Sequence, residues 1–109
     1  MELNEFQKMA RKTALYPNVG SNFIYPTLGL AGEAGEVADK VKKVIRDEKG
    51  VLDEKSRNNL MLELGDVLWY VSQLSSELGF CLEEVAQNNL AKLRSRAHRG
   101  EIGGSGDSR

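Results

Sequence analysis

Residues 60–71 read LMLELGDVLWYV and residues 30–41 read LAGEAGEVADKV, and the two stretches align at an offset of 30. Their shared pattern is L-x-x-E-x-G-[E/D]-V-x-x-x-V. At about 100° per residue, Leu60, Leu64, Val67, Leu68, Val71 and Leu74 form one apolar arc. Glu63 and Asp66 project from its margin with Tyr70 and Gln73, and Leu62 and Trp69 lie beyond them. In the earlier stretch Leu30, Val37, Val41, Val44 and Ile45 repeat the arc, and Glu33, Glu36 and Lys40 repeat the margin. Two copies are too few for a solenoid, so the echo predicts two equivalent helices packed against each other.

Outward from that pair the chain reads as all-α. Helices are expected at about 4–15, 28–46, 54–78 and 82–98, which makes a four-helix, bundle-like single domain. Asn4 and Gln7 have capping-box spacing, and Leu3, Phe6 and Ala10 follow at helical intervals. Residues 16–27 hold both prolines and a glycine and read as a loop. Gly50 breaks the chain before Asp53, a candidate N-cap, and Gly79 suits the end of the long helix. Cys81 falls at the N-cap of the last helix, where Ser or Thr would accept a hydrogen bond better. The domain is expected to span residues 1–100, and 101–109 form a glycine-rich tail, either disordered or folded over phosphate through its amides. No alternating strand pattern of useful length appears.

Composition removes several classes of function. The chain has 109 residues, 40% hydrophobic and 28% charged, which is ordinary for one globular domain. At this size the core is thin, and oligomerisation is expected. A net charge of −1 argues against a duplex nucleic-acid footprint. No apolar run approaches the roughly 20 residues of a membrane span, and no secretory leader is expected. One cysteine and one histidine exclude an intrachain disulfide and the common zinc sites, and suit a reducing cytoplasm. Residues 87–109 hold five basic and two acidic groups; they read either as cations complementing a helix dipole or as a basic segment that holds phosphate.

Carboxylates remain as the chemistry. Acids three apart on a helix point the same way, so Glu33/Glu36 and Glu63/Asp66 on facing helices would put four carboxylates around one spot. Four like charges in a partly apolar setting repel, and each costs several kcal/mol unless paired or coordinated. A divalent cation resolves both difficulties. All-oxygen ligands select hard metals, and Mg²⁺ typically takes substrate phosphates as further ligands. A di-iron centre would require Glu-x-x-His, and His98 has Ser95 three residues before it. Gly35 and Gly65 beside the acids either permit close helix approach or leave room for a ligand. Lys40 is expected to pair with Glu36 one turn earlier. Trp69 reads as core or interface, Cys81 as a small buried residue and His98 as a capping cation.

With E-x-x-E at 33–36 and E-x-x-D at 63–66, set in GLAGEAGEVADKVKK and LELGDVLWYV and followed by NLAKLRSR, the chain resembles the MazG-like all-α nucleoside triphosphate pyrophosphohydrolases over nearly its whole length. That resemblance implies Mg²⁺-dependent cleavage of a (deoxy)nucleoside triphosphate to monophosphate and pyrophosphate, with Mn²⁺ as a possible substitute. It implies that Glu33, Glu36, Glu63 and Asp66 hold the metal, with one carboxylate orienting or deprotonating the attacking water. It places Asn89, Lys92 and Arg96 near the phosphates and Tyr70 in the nucleotide pocket. It also implies a homodimer or dimer of dimers, with the site completed near a subunit interface. Two alternatives stay open: a related pyrophosphohydrolase acting on phosphoribosyl-ATP or dUTP, and a non-catalytic helical interaction module.

Overall fold

Asp53 opens the long helix as the sequence predicts. Its carboxylate accepts the Ser56 amide at 2.8 Å, satisfying one donor that a helix start otherwise leaves unpaired. The computed structural model describes residues 1–100 and, among them, four helices and no strand. They are α1 (Leu3–Arg11), α2 (Ile24–Asp47), α3 (Glu54–Glu77) and α4 (Leu82–Arg99). The all-α expectation holds. The tail expected at 101–109 lies outside the described residues. No helix among the described residues is long and apolar enough to cross a membrane.

The boundaries differ from the sequence reading mostly around the first loop. α1 stops at Arg11, four residues early, because the amides of Lys12, Thr13 and Ala14 turn back onto the carbonyls of Met9, Ala10 and Arg11, the tightened ending of a helix. That turn brings Tyr16 onto α3, where it is buried. α2 begins at Ile24, not Leu28, because the Asn22 side chain accepts the Tyr25 amide at 3.0 Å. Pro26 then sits in the first turn, where its missing N–H costs no hydrogen bond.

The Asn4–Gln7 capping box does not form; α1 has no side-chain cap. Both residues instead cap α4 from a distance. Asn4 Oδ1 accepts the Glu83 amide at 3.0 Å, and Gln7 Oε1 accepts the Leu82 amide at 2.7 Å. Glu84 reaches back to the Cys81 amide at 3.2 Å. The weak cap at Cys81 is thereby offset by two amide side chains from the far end of the sequence.

α2 and α3 form a helical hairpin joined by residues 48–53, and this is the most extensive packing in the molecule. α1 lies on α3, and α4 meets α1 and α3; among the described residues no contact joins α4 to α2. The result is open. Its radius of gyration is 16.6 Å, against about 13 Å for a closed domain of this length. Among the described residues, Ala10, Tyr16, Leu82 and Pro26 are the only buried apolar ones. The two apolar arcs read from the sequence are therefore not wholly internal: Leu64 is 56% exposed, Ile45 66% and Leu68 39%.

Candidate metal centre

The 30-residue echo survives into three dimensions. From 31–40 and from 61–70 the sequence of buried, half-buried and exposed residues is the same, position by position. Because the two helices face each other, their equivalent margins meet. Glu33, Glu63 and Asp66 each offer a carboxylate oxygen, and the three lie within 4.8 Å of one another. Glu33 and Glu63 are half-buried and Asp66 is exposed. Burial first, then the charges of Asp66 and Glu63 and a hydrogen bond shared with Glu63, push the Glu33 carboxyl above its ordinary pKa, with a lesser contribution from Glu36. Such mutual repulsion is what a hard divalent cation relieves, and three carboxylates are a donor set that fits one.

The expected quartet is thus met by three. Glu36 is exposed and lies outside the trio, near enough to be felt by Glu33. Lys40 does not pair with Glu36. Its ammonium crosses the hairpin to Glu63 at 3.6 Å, so the trio carries one cation at its edge.

Tyr70 stands one turn beyond Asp66, and its burial, followed by the proximity of Tyr25 and Glu33, holds its hydroxyl above the ordinary tyrosine pKa. It belongs to an aromatic run. Trp69 meets it edge-on at 4.9 Å, Tyr16 meets Trp69 at 6.5 Å, and Tyr25 stacks on Tyr16 at 5.1 Å. The Trp69 indole donates to Thr13 Oγ1 at 2.8 Å, so Trp69 is tied to the α1 side of the molecule. The glycines singled out in the sequence behave differently from one of the readings given. A Cβ added at Gly35 or Gly65 meets nothing within 4 Å, so within the chain they do not mark a close helix approach. The tight spot is Gly29, where an added Cβ would overlap the Tyr70 ring.

The α4 residues are not gathered with the acids inside one chain. Asn89 is exposed, Lys92 half-buried and Arg96 buried, on a helix that does not touch α2. Cys81 is half-buried and His98 exposed in the last turn of α4.

Sequence reasoning missed a second acid. Glu77, its side chain fully buried, accepts from the Tyr16 hydroxyl at 2.6 Å, from the amides of Gly20 and Asn22 at 2.8 Å each, and from Arg11 at 2.8 Å. Burial alone would raise its pKa, but these donors outweigh it and hold it at about 2. Gln73, expected at the acid margin, is buried here instead, accepting from Arg11 at 2.9 Å and donating to the Ala10 carbonyl at 3.1 Å. The signal was present: a carboxylate in the last turn of a helix opposes the helix dipole and needs a strong partner.

An all-α chain whose central hairpin clusters three carboxylates presents a donor set that could hold a hard cation. The sequence profile of the MazG nucleotide pyrophosphohydrolase domain matches residues 26–100, and the chain belongs to that family. It is also similar to the Gene 37 protein of Mycobacterium phage L5, 49% identical over 114 aligned residues that cover all of both chains. No solved structure matches it.

Proposed function

We propose that this protein hydrolyses a nucleoside triphosphate between its α- and β-phosphates, releasing the monophosphate and pyrophosphate, with Mg²⁺ as its metal and Mn²⁺ as a substitute. The observation that carries this reading is the convergence of Glu33, Glu63 and Asp66 within a chain of the MazG family. Those three residues would hold the ion. When bound, it supplies neutralisation of phosphate charge and a lowered pKa for coordinated water. Phosphoryl transfer otherwise asks the protein mainly for positioning. Glu36, one turn along α2 from Glu33 and exposed, orients the attacking water or accepts its proton. Tyr70 lines the nucleotide pocket.

The same reading makes the protein a homodimer or dimer of dimers acting in the cytoplasm, where triphosphates and Mg²⁺ occur together. Support for association comes from the exposed apolar residues of the central hairpin, among them Met61, Leu62, Leu64 and Ile45, and from the thin core beneath them. Asn89 and Lys92 would reach the phosphates only across such an interface, since α4 does not touch α2 within one chain, while Arg96 is buried in its own chain.

Incubation with a panel of nucleotides in Mg²⁺ and in Mn²⁺, with products resolved by chromatography, tests the reaction. Monophosphate and pyrophosphate are expected, and both should vanish in Asp66→Asn and Glu36→Gln while the circular dichroism spectrum is kept. Orthophosphate as product, or full activity in both variants, sinks the assignment.

A further inference from the structure

Beside the acids, a side chain of α3 comes tight against α2 at a glycine that no charge pattern points to. A Cβ built on Gly29 would lie 2.6 Å from Cδ1 of Tyr70 and nearer still to Cε1 and Cζ. Gly29 precedes Glu33 by one turn on α2, and Tyr70 follows Asp66 by one turn on α3. In a hairpin these turns sit at the same level, immediately above the carboxylates. The Tyr70 ring therefore occupies, beside the α2 backbone, the space that a side chain at position 29 would fill. Its remaining surroundings are also fixed: Trp69 edge-on at 4.9 Å, Tyr25 and Glu33 close enough to act on its hydroxyl. Three other glycines of the same hairpin, Gly32, Gly35 and Gly65, have nothing within 4 Å of an added Cβ. The glycine requirement is thus specific to position 29.

We propose that Gly29 is a positioning residue for the nucleotide site: by lacking a side chain it seats the Tyr70 ring against α2, and so sets where the aromatic wall stands relative to the carboxylates. The proposal rests on the functional reading above, in which Tyr70 lines the nucleotide pocket. Gly29 touches no ligand itself and acts through Tyr70. Substitution by alanine improves helix propensity yet forces the ring out of its seat by more than an ångström. A misplacement of that size near a reacting group can cost up to about 100-fold in rate.

The test uses the full chain and the α,β-imido analogues of the four deoxynucleoside triphosphates with Mg²⁺, whose α–β linkage resists hydrolysis. Affinity is read by calorimetry, and ring placement by the emission of Trp69, the sole tryptophan, which borders Tyr70. Gly29→Ala should weaken the tightest analogue about tenfold and shift the Trp69 emission. Gly32→Ala should stay within about twofold of the parent on both counts, since its Cβ meets open space. In a Tyr70→Leu background the ring that clashes is gone, so Gly29→Ala should add no further loss, the non-additivity of residues acting as a unit. If Gly29→Ala disturbs the fold, the double variant should recover it. Binding by Gly29→Ala equal to the parent's overturns the proposal, and so does an equal loss in the Tyr70→Leu background. A parent protein that binds none of the analogues overturns the nucleotide reading and this inference with it. A parent that binds but does not turn over triphosphates breaks only the reaction assigned above.

Discussion

Glu63 and Glu77 sit on one helix and meet opposite fates. Around Glu77 the chain gathers two backbone amides, a tyrosine hydroxyl and a guanidinium, and the carboxyl is held at about 2. Around Glu63 it gathers two more carboxylates and one lysine at 3.6 Å, and the neighbouring Glu33 is pushed up. A buried acid that has all its donors serves the fold; it pins the loop before α2 to the end of α3. Acids set together with one lysine at 3.6 Å leave an electrostatic demand partly unmet, and that pattern supports the ligand site proposed above.

The largest expected effect falls on the satisfied acid. Glu77→Ala leaves Arg11, Tyr16 and two amides without their acceptor, and breaking such a buried pair costs about 3–5 kcal/mol. In a domain this small that corresponds to a fall in Tm of more than about 12 °C. Asp66→Asn should leave Tm within a few degrees, because it removes a repulsion. Thermal denaturation of the two variants side by side checks this, and a comparable loss in both would erase the distinction.

Next in size is the response to metal. Mg²⁺ at about 100 times its dissociation constant should stabilise the parent by about 2.7 kcal/mol. Asp66→Asn and Glu33→Gln should gain much less, while Glu77→Gln, though weaker at the outset, should keep the increment. Differential scanning calorimetry with and without Mg²⁺ reads it directly. An unchanged increment in Asp66→Asn would place the ion elsewhere.

Acid titration separates the two groups by sign. Glu77 has a folded pKa of about 2 against an unfolded value of 4.5. Between those values the unfolded chain binds more protons, so the stability Glu77 contributes is complete above the unfolded value and lost as the pH falls through about 2. Glu33 is raised above 4.5, so the folded chain binds more protons there. Its contribution is unfavourable and sets in as the pH rises past the unfolded value toward the raised one. Urea unfolding of metal-free protein from pH 2 to 7 should show Glu77→Gln flattening the acid limb and Glu33→Gln removing a decline that sets in above the unfolded carboxylate value. The same slope change in both variants would contradict the contrast.

The contrast also explains what could be read in advance. The hairpin and three of its acids were legible because one pattern, repeated at a fixed offset, dictates equivalent faces, and equivalent faces of neighbouring helices meet. Asp53 was legible because an N-cap is a local event. Glu77 was legible only as an acid at the unfavourable end of a helix dipole; its donors, Arg11, Tyr16, Gly20 and Asn22, are all distant in sequence. Asn4 and Gln7 carried the right spacing for a local cap but found partners on α4; spacing states what a side chain can reach, and the tertiary fold decides which partner is there. Gly29 escaped notice for a related reason. A glycine that matters for what lies across from it looks, in sequence, like any other, and Gly35 and Gly65 drew attention only because they adjoin charges.

The smallest expected effect is also the sharpest on the comparison, and it concerns Lys40. Its pair with Glu63 spans 3.6 Å with the lysine side chain 36% exposed, and ion pairs of that kind contribute about 0–1 kcal/mol. Lys40→Met should therefore leave stability within about 1 kcal/mol of the parent. Its effect on the ion has the opposite direction from its effect on the fold. A positive charge beside Glu63 opposes a second positive charge arriving among the same oxygens, so Lys40→Met should tighten Mg²⁺ about threefold without nucleotide, after screening by salt. Calorimetric titration at two ionic strengths measures it, and the gain should shrink at the higher one. Weaker Mg²⁺ binding in Lys40→Met would show that the lysine organises the acids and does not compete for them; the trio would then resemble the Glu77 hub more than it differs from it.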